Sequence, residues 1–450
     1  MATGVLGTAD TPGNAVDVAA MNNYVAVADS ETGVALFNVE SGFTPTRVAQ
    51  VDTPGSARSL ALIARPNAQD ALRVAVADGP GGLVVIDLGL PANARITQQV
   101  RLTANAVAVA ALGGVGYVGL ANGEVNAVDL NSGVILERLR LPNNPNIQDV
   151  AISRNTLFVL GVGRLFALPL DEGELRVSSS VDSPGGIGAG QRRLRLFVAD
   201  GLAYASHTAG FNVLDVSDRE NLRSLRVNNT SSFGWKQMVP NGSGLGIACV
   251  SPNSTDDGPH HVSLYNLGND GLGSTFLTTL QTPGLATAAA LYNGLAYIAD
   301  GRAGLQVLNY LAYDAGNQPP TIRLAADFPS TRPRPRKASS SPSLPASATT
   351  FRWPALSSMW TATASPSTET TPSSPCSSPP LLGPNRTSFR LRARAFDTGG
   401  NFAWSTEYNV NLVPDATAPG SSGASRRPAP SSDRPTRSRR ISASPLTQPP

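Results

Sequence analysis

The feature that most limits the fold is an internal repeat with a period of about 45 residues. Seven short apolar segments align with one another: VALFNV, LVVIDL, VNAVDL, LFALPL, FNVLDV, VSLYNL and LQVLNY. Their penultimate residues are Asn38, Asp87, Asp129, Pro169, Asp215, Asn266 and Asn309, so successive copies lie 49, 42, 40, 46, 51 and 43 residues apart. A repeat of this size is typical of one four-stranded blade of a β-propeller.

Each repeat contains the pattern of four strands. In the second copy these are SLALIA, RVAVAD, GLVVIDL and RITQQVRL. The first three are apolar on nearly every residue, as expected for strands that pack on both faces, whereas the fourth alternates between apolar and polar. A solenoid of small helices is the main alternative, but β-branched runs broken by Gly, Pro, Asn and Asp favour strands.

The two ends of the repeat region predict how a ring would close. The first copy is preceded by GVLGTAD (Gly4–Asp10), which resembles a fourth strand, and the last copy stops after its third strand at Tyr310. An N-terminal strand that completes the last blade would cover two open sheet edges. The sequence therefore predicts an all-β, seven-bladed β-propeller over residues 1–315, closed by its N-terminal strand.

The rest of the chain differs in composition. Residues 1–328 contain 20 Lys and Arg against 27 Asp and Glu, so the basic excess belongs to the C-terminal part. Residues 316–386 become rich in Ser, Pro, Thr and Arg, which predicts a low-complexity linker; the alternative is a frameshifted immunoglobulin-like segment. Residues 387–415 alternate again around DTGGN, which predicts an immunoglobulin-like β-hairpin with Asp397, Gly400 and Asn401 in its turn. Residues 416–450 are predicted to be a disordered basic tail.

Several stretches resemble one known family. GLVVIDL (Gly82–Leu88), GFNVLDVSDRENLRSL (Gly210–Leu225) and the recurring DTPG and AYIAD segments are similar to LVIVD repeats, and the resemblance covers roughly residues 4–312. It implies a β-propeller of bacterial exported or cell-surface proteins, which commonly stands beside immunoglobulin-like modules. It implies no single reaction. We therefore expect an extracellular or cell-surface location within a larger multidomain chain, although no signal peptide is visible here.

Other functional classes find little support in the sequence. Cys249 and Cys376 form neither a disulfide framework nor a zinc motif, and no run of 18 apolar residues could span a membrane. The sequence does not predict a folded basic face with interleaved aromatic residues, which is the pattern that would indicate nucleic-acid binding. No nucleophile, phosphate-loop or metallohydrolase motif occurs, so we expect no enzymatic activity and no cofactor.

Aspartates recur in the turn between the second and third strands. Asp29, Asp78 and Asp300 are predicted to lie on the same face as the loops that enter the innermost strands. They are candidates for a ring of carboxylates that holds a hard cation such as Ca²⁺. Because they recur with the repeat, the favoured interpretation is that each caps its own turn. His207 stands at the same place in the fifth copy and is predicted to be a solvent-facing turn residue.

The sixth copy departs furthest from the others. Its turn is enlarged to SPNSTDDGPHH, and two aromatic residues are predicted to lie in or near its innermost strand. Any specific recognition is predicted here, although drift of an unconstrained blade is the alternative. The candidate binding residues are Phe233, Trp235, Asp256, Asp257, His260 and His261, besides His207.

Together these patterns predict a non-enzymatic recognition or structural module that binds a protein or glycan partner through the loop face of the propeller. One alternative is a metal-dependent propeller enzyme, a lactonase- or lyase-like hydrolase, which would need several His or carboxylate ligands converging on the channel. Another is an intracellular protein-interaction scaffold.

Overall fold

The computed structural model describes residues 4–21, 23–40, 43–64, 72–88, 93–185, 193–229, 234–250 and 261–313, together with the backbone of short strands between residues 322 and 411. Within this part of the chain, residues 4–313 form seven four-stranded antiparallel sheets. The prediction of a seven-bladed β-propeller is therefore confirmed.

Six blades are each made of four consecutive strands. Blade 1 contains β2 (Asp17–Met21), β3 (Tyr24–Ala28), β4 (Val34–Asn38) and β5 (Thr46–Val51). Blade 2 contains β6 (Ser59–Ala64), β7 (Leu72–Ala77), β8 (Leu83–Asp87) and β9 (Arg95–Val100). Blade 3 contains β10 (Ala106–Leu112), β11 (Val115–Leu120), β12 (Glu124–Asp129) and β13 (Ile135–Arg140). Blade 4 contains β14 (Ile147–Ser153), β15 (Thr156–Gly161), β16 (Arg164–Pro169) and β17 (Ser179–Asp182). Blade 5 contains β18 (Leu196–Ala199), β19 (Leu202–His207), β20 (Gly210–Asp215) and β21 (Arg223–Asn229). Blade 6 contains β22 (Gln237–Pro240), β23 (Leu245–Val250), β24 (His261–Asn266) and β25 (Thr275–Leu280).

Blade 7 joins the two ends of the repeat region. Its first three strands are β26 (Ala288–Tyr292), β27 (Leu295–Ala299) and β28 (Leu305–Asn309), and its fourth is β1 (Gly4–Ala9). The register runs from Gly4 opposite Asn309 to Ala9 opposite Leu305. The Thr8 hydroxyl also donates a hydrogen bond to Gln306 Oε1 at 2.8 Å. The predicted closure of the ring by the N-terminal strand is confirmed.

The core lies between neighbouring blades because the inner strands are apolar on both faces. Val25 and Val27 of blade 1 pack with Tyr297 and Val307 of blade 7, and all four are buried. The outermost strands alternate instead, as in β13, where half-buried and exposed residues follow one another. Packing of this kind positions the innermost strands around a central axis, with their connecting loops gathered on two opposite faces.

Beyond the propeller the described elements are short. A 3₁₀ turn (Leu311–Tyr313) follows β28. Within the segment predicted as linker, β29 (Ile322–Ala326) pairs antiparallel with β30 (Trp360–Ala364). Near residue 400, β31 (Ser388–Leu391) pairs with β34 (Tyr408–Asn411), and β32 (Arg394–Phe396) pairs with β33 (Phe402–Trp404). Asp397, Gly400 and Asn401 lie outside the described residues.

No helix in the described part of the chain has the length and apolar character that a membrane crossing requires.

Candidate functional site

One face of the propeller carries a repeated lock between an aspartate and a Thr-Pro-Gly turn. In blade 2, Asp78 Oδ2 accepts a hydrogen bond from the Gly55 N–H at 2.7 Å, and its Oδ1 accepts one from the Thr53 hydroxyl at 2.6 Å. Residues 53–55 lead into the innermost strand of blade 2, and Asp78 follows its second strand. The two loops therefore meet on the same face, as predicted, and we call this the locked face.

The same lock recurs in blade 7 and, without the hydrogen bond from the threonine of the turn, in blade 1. In blade 7, Asp300 accepts hydrogen bonds from the Gly284 N–H at 2.8 Å and the Thr282 hydroxyl at 2.7 Å. In blade 1, Asp29 Oδ2 accepts one from the Gly13 N–H at 2.8 Å. All three aspartates have no exposed surface. Each carboxylate thus binds its own turn, which agrees with the capping interpretation, and among the described residues no group of three or more His, Cys, Asp and Glu could hold a metal ion.

Glycine is required in these locks because the two loops are so close. A Cβ on Gly55 would lie 2.1 Å from the Asp78 carbonyl oxygen, and a Cβ on Gly284 would lie 2.1 Å from the Asp300 carbonyl oxygen. A larger residue would push the loops apart and break the carboxylate's hydrogen bonds.

Burial changes the ionisation of two of these groups. Loss of hydration raises the pKa of Asp300 to about 6, although the hydrogen bonds from Thr282 and Gly284 act in the opposite direction. For the same reason, burial raises the pKa of Asp78 above its ordinary value. The carboxyl of the lock in blade 7 therefore titrates at a pH of about 6.

Backbone bridges extend the locks from blade to blade. The residue after each aspartate forms a β-bridge with an alanine where the chain enters the innermost strand of the next blade: Gly301 with Ala15, Ser30 with Ala57, and Gly79 with Ala106. The locked face is therefore a continuous hydrogen-bonded band that runs from blade 7 through blades 1 and 2 to the start of blade 3.

Blade 5 replaces the aspartate by His207, and the structure corrects the expectation for this residue. His207 is 3% exposed and lies beneath Gly185, so it is not a solvent-facing turn residue. Its Nδ1 accepts a hydrogen bond from the Ala209 N–H at 3.3 Å, and burial lowers the pKa of the imidazole. Asn212 makes the contact to the turn instead, because its Nδ2 donates to Ser183 Oγ at 2.9 Å.

The blade 6 candidates do not form one exposed site in the described residues. Trp235 is fully buried, with its ring centroid 5.5 Å from that of Phe211 and 5.2 Å from that of Tyr265. It belongs to the core between blades 5 and 6, so its position does not suit contact with a partner. His261 is half-buried at the start of β24, where its Nδ1 accepts the Thr282 N–H at 3.2 Å and burial lowers its pKa. Phe233, Asp256, Asp257 and His260 lie outside the described residues.

Polar residues at the start of the innermost strands form a second feature, which the sequence analysis missed. Among the described residues, five of them accept a backbone N–H from the next blade: Asp17 from Leu60 (3.1 Å), Ser59 from Val109 (3.4 Å), Gln148 from Leu194 (3.4 Å), Asp149 from Leu196 (2.9 Å) and Gln237 from Ala289 (2.8 Å). The available signal was a polar residue directly before an apolar strand, as in DVAA at Asp17 and DVAI at Asp149.

Two arginines from blade 5 reach across the ring to these strands. Arg195 Nη1 lies 2.6 Å from Asp17 Oδ1 in blade 1. Arg193 Nη1 donates to the Val107 carbonyl oxygen at 2.7 Å, and its Nη2 lies 3.3 Å from Asp149 Oδ1. Since the innermost strands surround the central axis, these side chains occupy the mouth of the channel on the locked face.

Comparison with solved structures agrees with this architecture. The WD40 β-propeller domain of Doa1 is 13% identical over 69% of this chain and 98% of its own, with a TM-score of 0.51. A chain in the structure of the Mitotic Checkpoint Complex is 12% identical over 68% of this chain and 94% of its own, also with a TM-score of 0.51. BamB from Moraxella catarrhalis is 17% identical over 66% of this chain and 82% of its own, with a TM-score of 0.45.

At these identities the likeness concerns the fold alone. No protein-family model matches the chain. No curated protein matches it either. The chain has the fold of a seven-bladed β-propeller, which is compatible with a protein-interaction module.

Proposed function

We propose that this chain is a non-enzymatic recognition module of an exported or cell-surface bacterial protein, and that it binds a protein or glycan partner through the locked face. The LVIVD-like residues in blades 1, 2, 5 and 7 support the assignment to that class of propeller. The alternating strands near residue 400 support an immunoglobulin-like neighbour in the same chain.

The observation that carries the proposal is the band of locks. Asp300, Asp29 and Asp78 fix the turns of three consecutive blades through buried hydrogen bonds. A rigid scaffold that holds surface loops in place lowers the entropy that those loops lose on binding. The same carboxylates would be the metal ligands of an enzyme, but here their oxygens hold the turns together, which favours recognition over metal-dependent catalysis.

The fold relatives support the same class of function. The structure of the Mitotic Checkpoint Complex is, by its name, that of a protein assembly, and it contains a chain with this architecture. Propellers can present loops from several blades on one face, so a partner can be recognised without a deep pocket.

Blade 6 is the proposed centre of recognition. β23 ends at Val250 and β24 begins only at His261, whereas β27 and β28 of blade 7 are separated by Asp300–Gly304. Blade 6 therefore has a longer segment between its second and third strands than its neighbour does, and that segment, which lies outside the described residues, contains Asp256, Asp257 and His260.

The test compares three versions of the chain. In the first variant, residues 251–260 are replaced by the DGRAG turn of blade 7. In the control, the tight turn Arg154–Asn155 on the opposite face is replaced by Asn-Gly, which suits the positive φ angles of both positions. Each version is applied to an array of purified glycans and, with a photo-crosslinker, to a purified bacterial envelope fraction.

We expect the parent and the control to bind the same glycan or envelope protein and the blade 6 variant to lose it while its circular dichroism spectrum is unchanged. Binding that survives the blade 6 replacement would remove the recognition centre from that blade. A parent chain that binds neither probe but turns over an ester, lactone or glycosidic substrate would overturn the proposal as a whole.

A further inference from the structure

The seven innermost strands begin with residues of different chemistry at one equivalent position. The position is marked by the N–H bonds between blades, because each donor directly follows the occupant of this position in its own blade. Its occupants in blades 1 to 7 are Asp17, Ser59, Ala108, Asp149, Arg195, Gln237 and Ala288. Four of these accept an N–H from the next blade, whereas alanine has no side-chain acceptor. Arginine has none either, so the junctions from blade 3 to 4, from blade 5 to 6 and from blade 7 to 1 lack this connection, and the arginines of blade 5 reach the first and the last of the three.

Arg193 spans the first of these three junctions. Its guanidinium joins the Val107 carbonyl oxygen of blade 3 to the Asp149 carboxylate of blade 4, at 2.7 Å and 3.3 Å. The same group donates to the Arg58 carbonyl oxygen in blade 2 at 3.0 Å. Its Nη2 also lies 3.5 Å from Asp17 Oδ2 in blade 1, so one side chain from blade 5 connects four other blades at the channel.

Arg195 reaches the last of these junctions from the far side of the ring. Its Nη1 binds Asp17 Oδ1 at 2.6 Å, and its Nη2 donates to the Val16 carbonyl oxygen at 2.5 Å. These two residues follow Ala15, which forms the backbone bridge to Gly301 between blades 7 and 1. The arginine therefore holds blade 1 at the seam where the two ends of the repeat region meet.

The Arg195–Asp17 pair is almost fully satisfied. Arg195 and Asp17 are 6% and 5% exposed. The Asp17 carboxylate also accepts the N–H groups of Val18 at 2.8 Å and Leu60 at 3.1 Å. Removing one partner of a buried, hydrogen-bonded ion pair leaves an unpaired charge in a medium of low dielectric constant, which is far more costly than removing both.

We propose that Arg193 and Arg195 form a cross-channel latch that closes the channel mouth on the locked face and secures the seam between blades 7 and 1. The latch acts in addition to the N-terminal strand, which closes the same seam at the outer edge of blade 7. The channel mouth is then a structural element of the ring, and ligands bind to the loops around it.

The experiment uses the full chain and the variants R195M, D17N/R195M and R226M. Methionine keeps the length and apolar stem of the arginine without its charge. Asparagine at position 17 can still accept the Leu60 N–H. Arg226 lies exposed on the outermost strand of the same blade and serves as the control. Unfolding is measured in urea, and hydrogen exchange is followed by mass spectrometry.

We expect R195M to raise the unfolding equilibrium constant by roughly 100-fold or more, because the buried Asp17 carboxylate loses its close guanidinium partner at 2.6 Å and keeps only Arg193, whose Nη2 lies 3.5 Å from Asp17 Oδ2. The unfolding equilibrium constant of D17N/R195M should be at least about tenfold lower than that of R195M. The constant of R226M should stay within about threefold of the parent's. In R195M, faster exchange should appear at residues 15–21 and 286–292, on the opposite side of the ring, with β21 unchanged. If R195M does not fold, R195K gives the same two readouts, with a smaller effect in the same places.

An R195M protein whose unfolding equilibrium constant lies within about threefold of the parent's would overturn the latch, because loss of one partner of a buried ion pair should destabilise the fold by far more. Faster exchange confined to blade 5 would also overturn it, because a merely local role would not reach the seam.

Discussion

Asp300 makes the stability of the propeller depend on pH in a way that can be calculated. Its carboxyl has no exposed surface, and burial raises its pKa from 3.8 to about 6. A carboxyl whose pKa is higher in the folded state stabilises the fold fully below pH 4, and this contribution is lost as the pH rises from about 4 through 6. Between pH 4 and 7 the loss is about 2 kcal/mol for these two pKa values.

The substitution Asp300→Asn isolates this contribution. Asparagine is neutral throughout the range, can accept the Gly284 N–H with Oδ1, and can donate to the Thr282 hydroxyl with Nδ2. The free energy of unfolding is measured in urea by far-ultraviolet circular dichroism at pH 4, 5, 6 and 7. Parent stability should fall by about 2 kcal/mol more than that of D300N over this range.

Asp10→Asn is the matched control, because Asp10 is exposed and precedes the first Thr-Pro-Gly turn. It should follow the pH dependence of the parent. If the parent and D300N lose stability in parallel between pH 4 and 7, the carboxyl is not desolvated in the folded protein and the description of the lock is wrong.

Three further predictions concern the core, the locks and the domain boundary. Trp235→Ala should lower the free energy of unfolding by about 3–5 kcal/mol, because it leaves a cavity in a buried aromatic cluster. The control Phe276→Ala removes a side chain that is 55% exposed and should lower it by less than about 1 kcal/mol. Equal effects of the two substitutions in urea unfolding would place the tryptophan outside the core. Gly284→Ala should cost about 1–3 kcal/mol because the added Cβ overlaps the Asp300 carbonyl oxygen, and Pro283→Ala beside it should cost less; a G284A protein as stable as the parent would contradict the close approach. Limited proteolysis should leave a resistant fragment that ends between residues 313 and 328, and protection through residue 386 would instead indicate a second folded domain.

The repeat made the ring predictable because each blade carries its own local pattern. Strand SLALIA is β6, from Ser59 to Ala64, and GVLGTA is β1, from Gly4 to Ala9. The capping role of Asp78 was also predictable, because an aspartate recurs with the repeat in the turn between the second and third strands. These features depend on contacts within one blade or with the segment that enters the next blade.

Features that depend on the closed ring could not be predicted in this way. Arg195 and Asp17 are 178 residues apart in sequence and meet only because blades 5 and 1 face each other across the channel. His207 stands in a polar turn, which predicted exposure, but Gly185, with a φ of 125°, brings the preceding loop over its ring. Trp235 lies before a strand in a divergent blade, and only the packing of Phe211 and Tyr265 on either side shows that it is a core residue.

Closure by the N-terminal strand is the claim on which the rest depends, and complementation in trans tests it most directly. A chain that lacks residues 1–10 should melt at a lower temperature or aggregate, because it exposes the edge of β28 and uncovers Leu305 and Val307. A synthetic peptide of residues 1–12 should restore the melting temperature in a concentration-dependent manner, whereas the same peptide with Leu6→Asp should not, since Leu6 packs against the core between blades 7 and 1. A truncated chain that melts like the parent and ignores both peptides would contradict the closed ring.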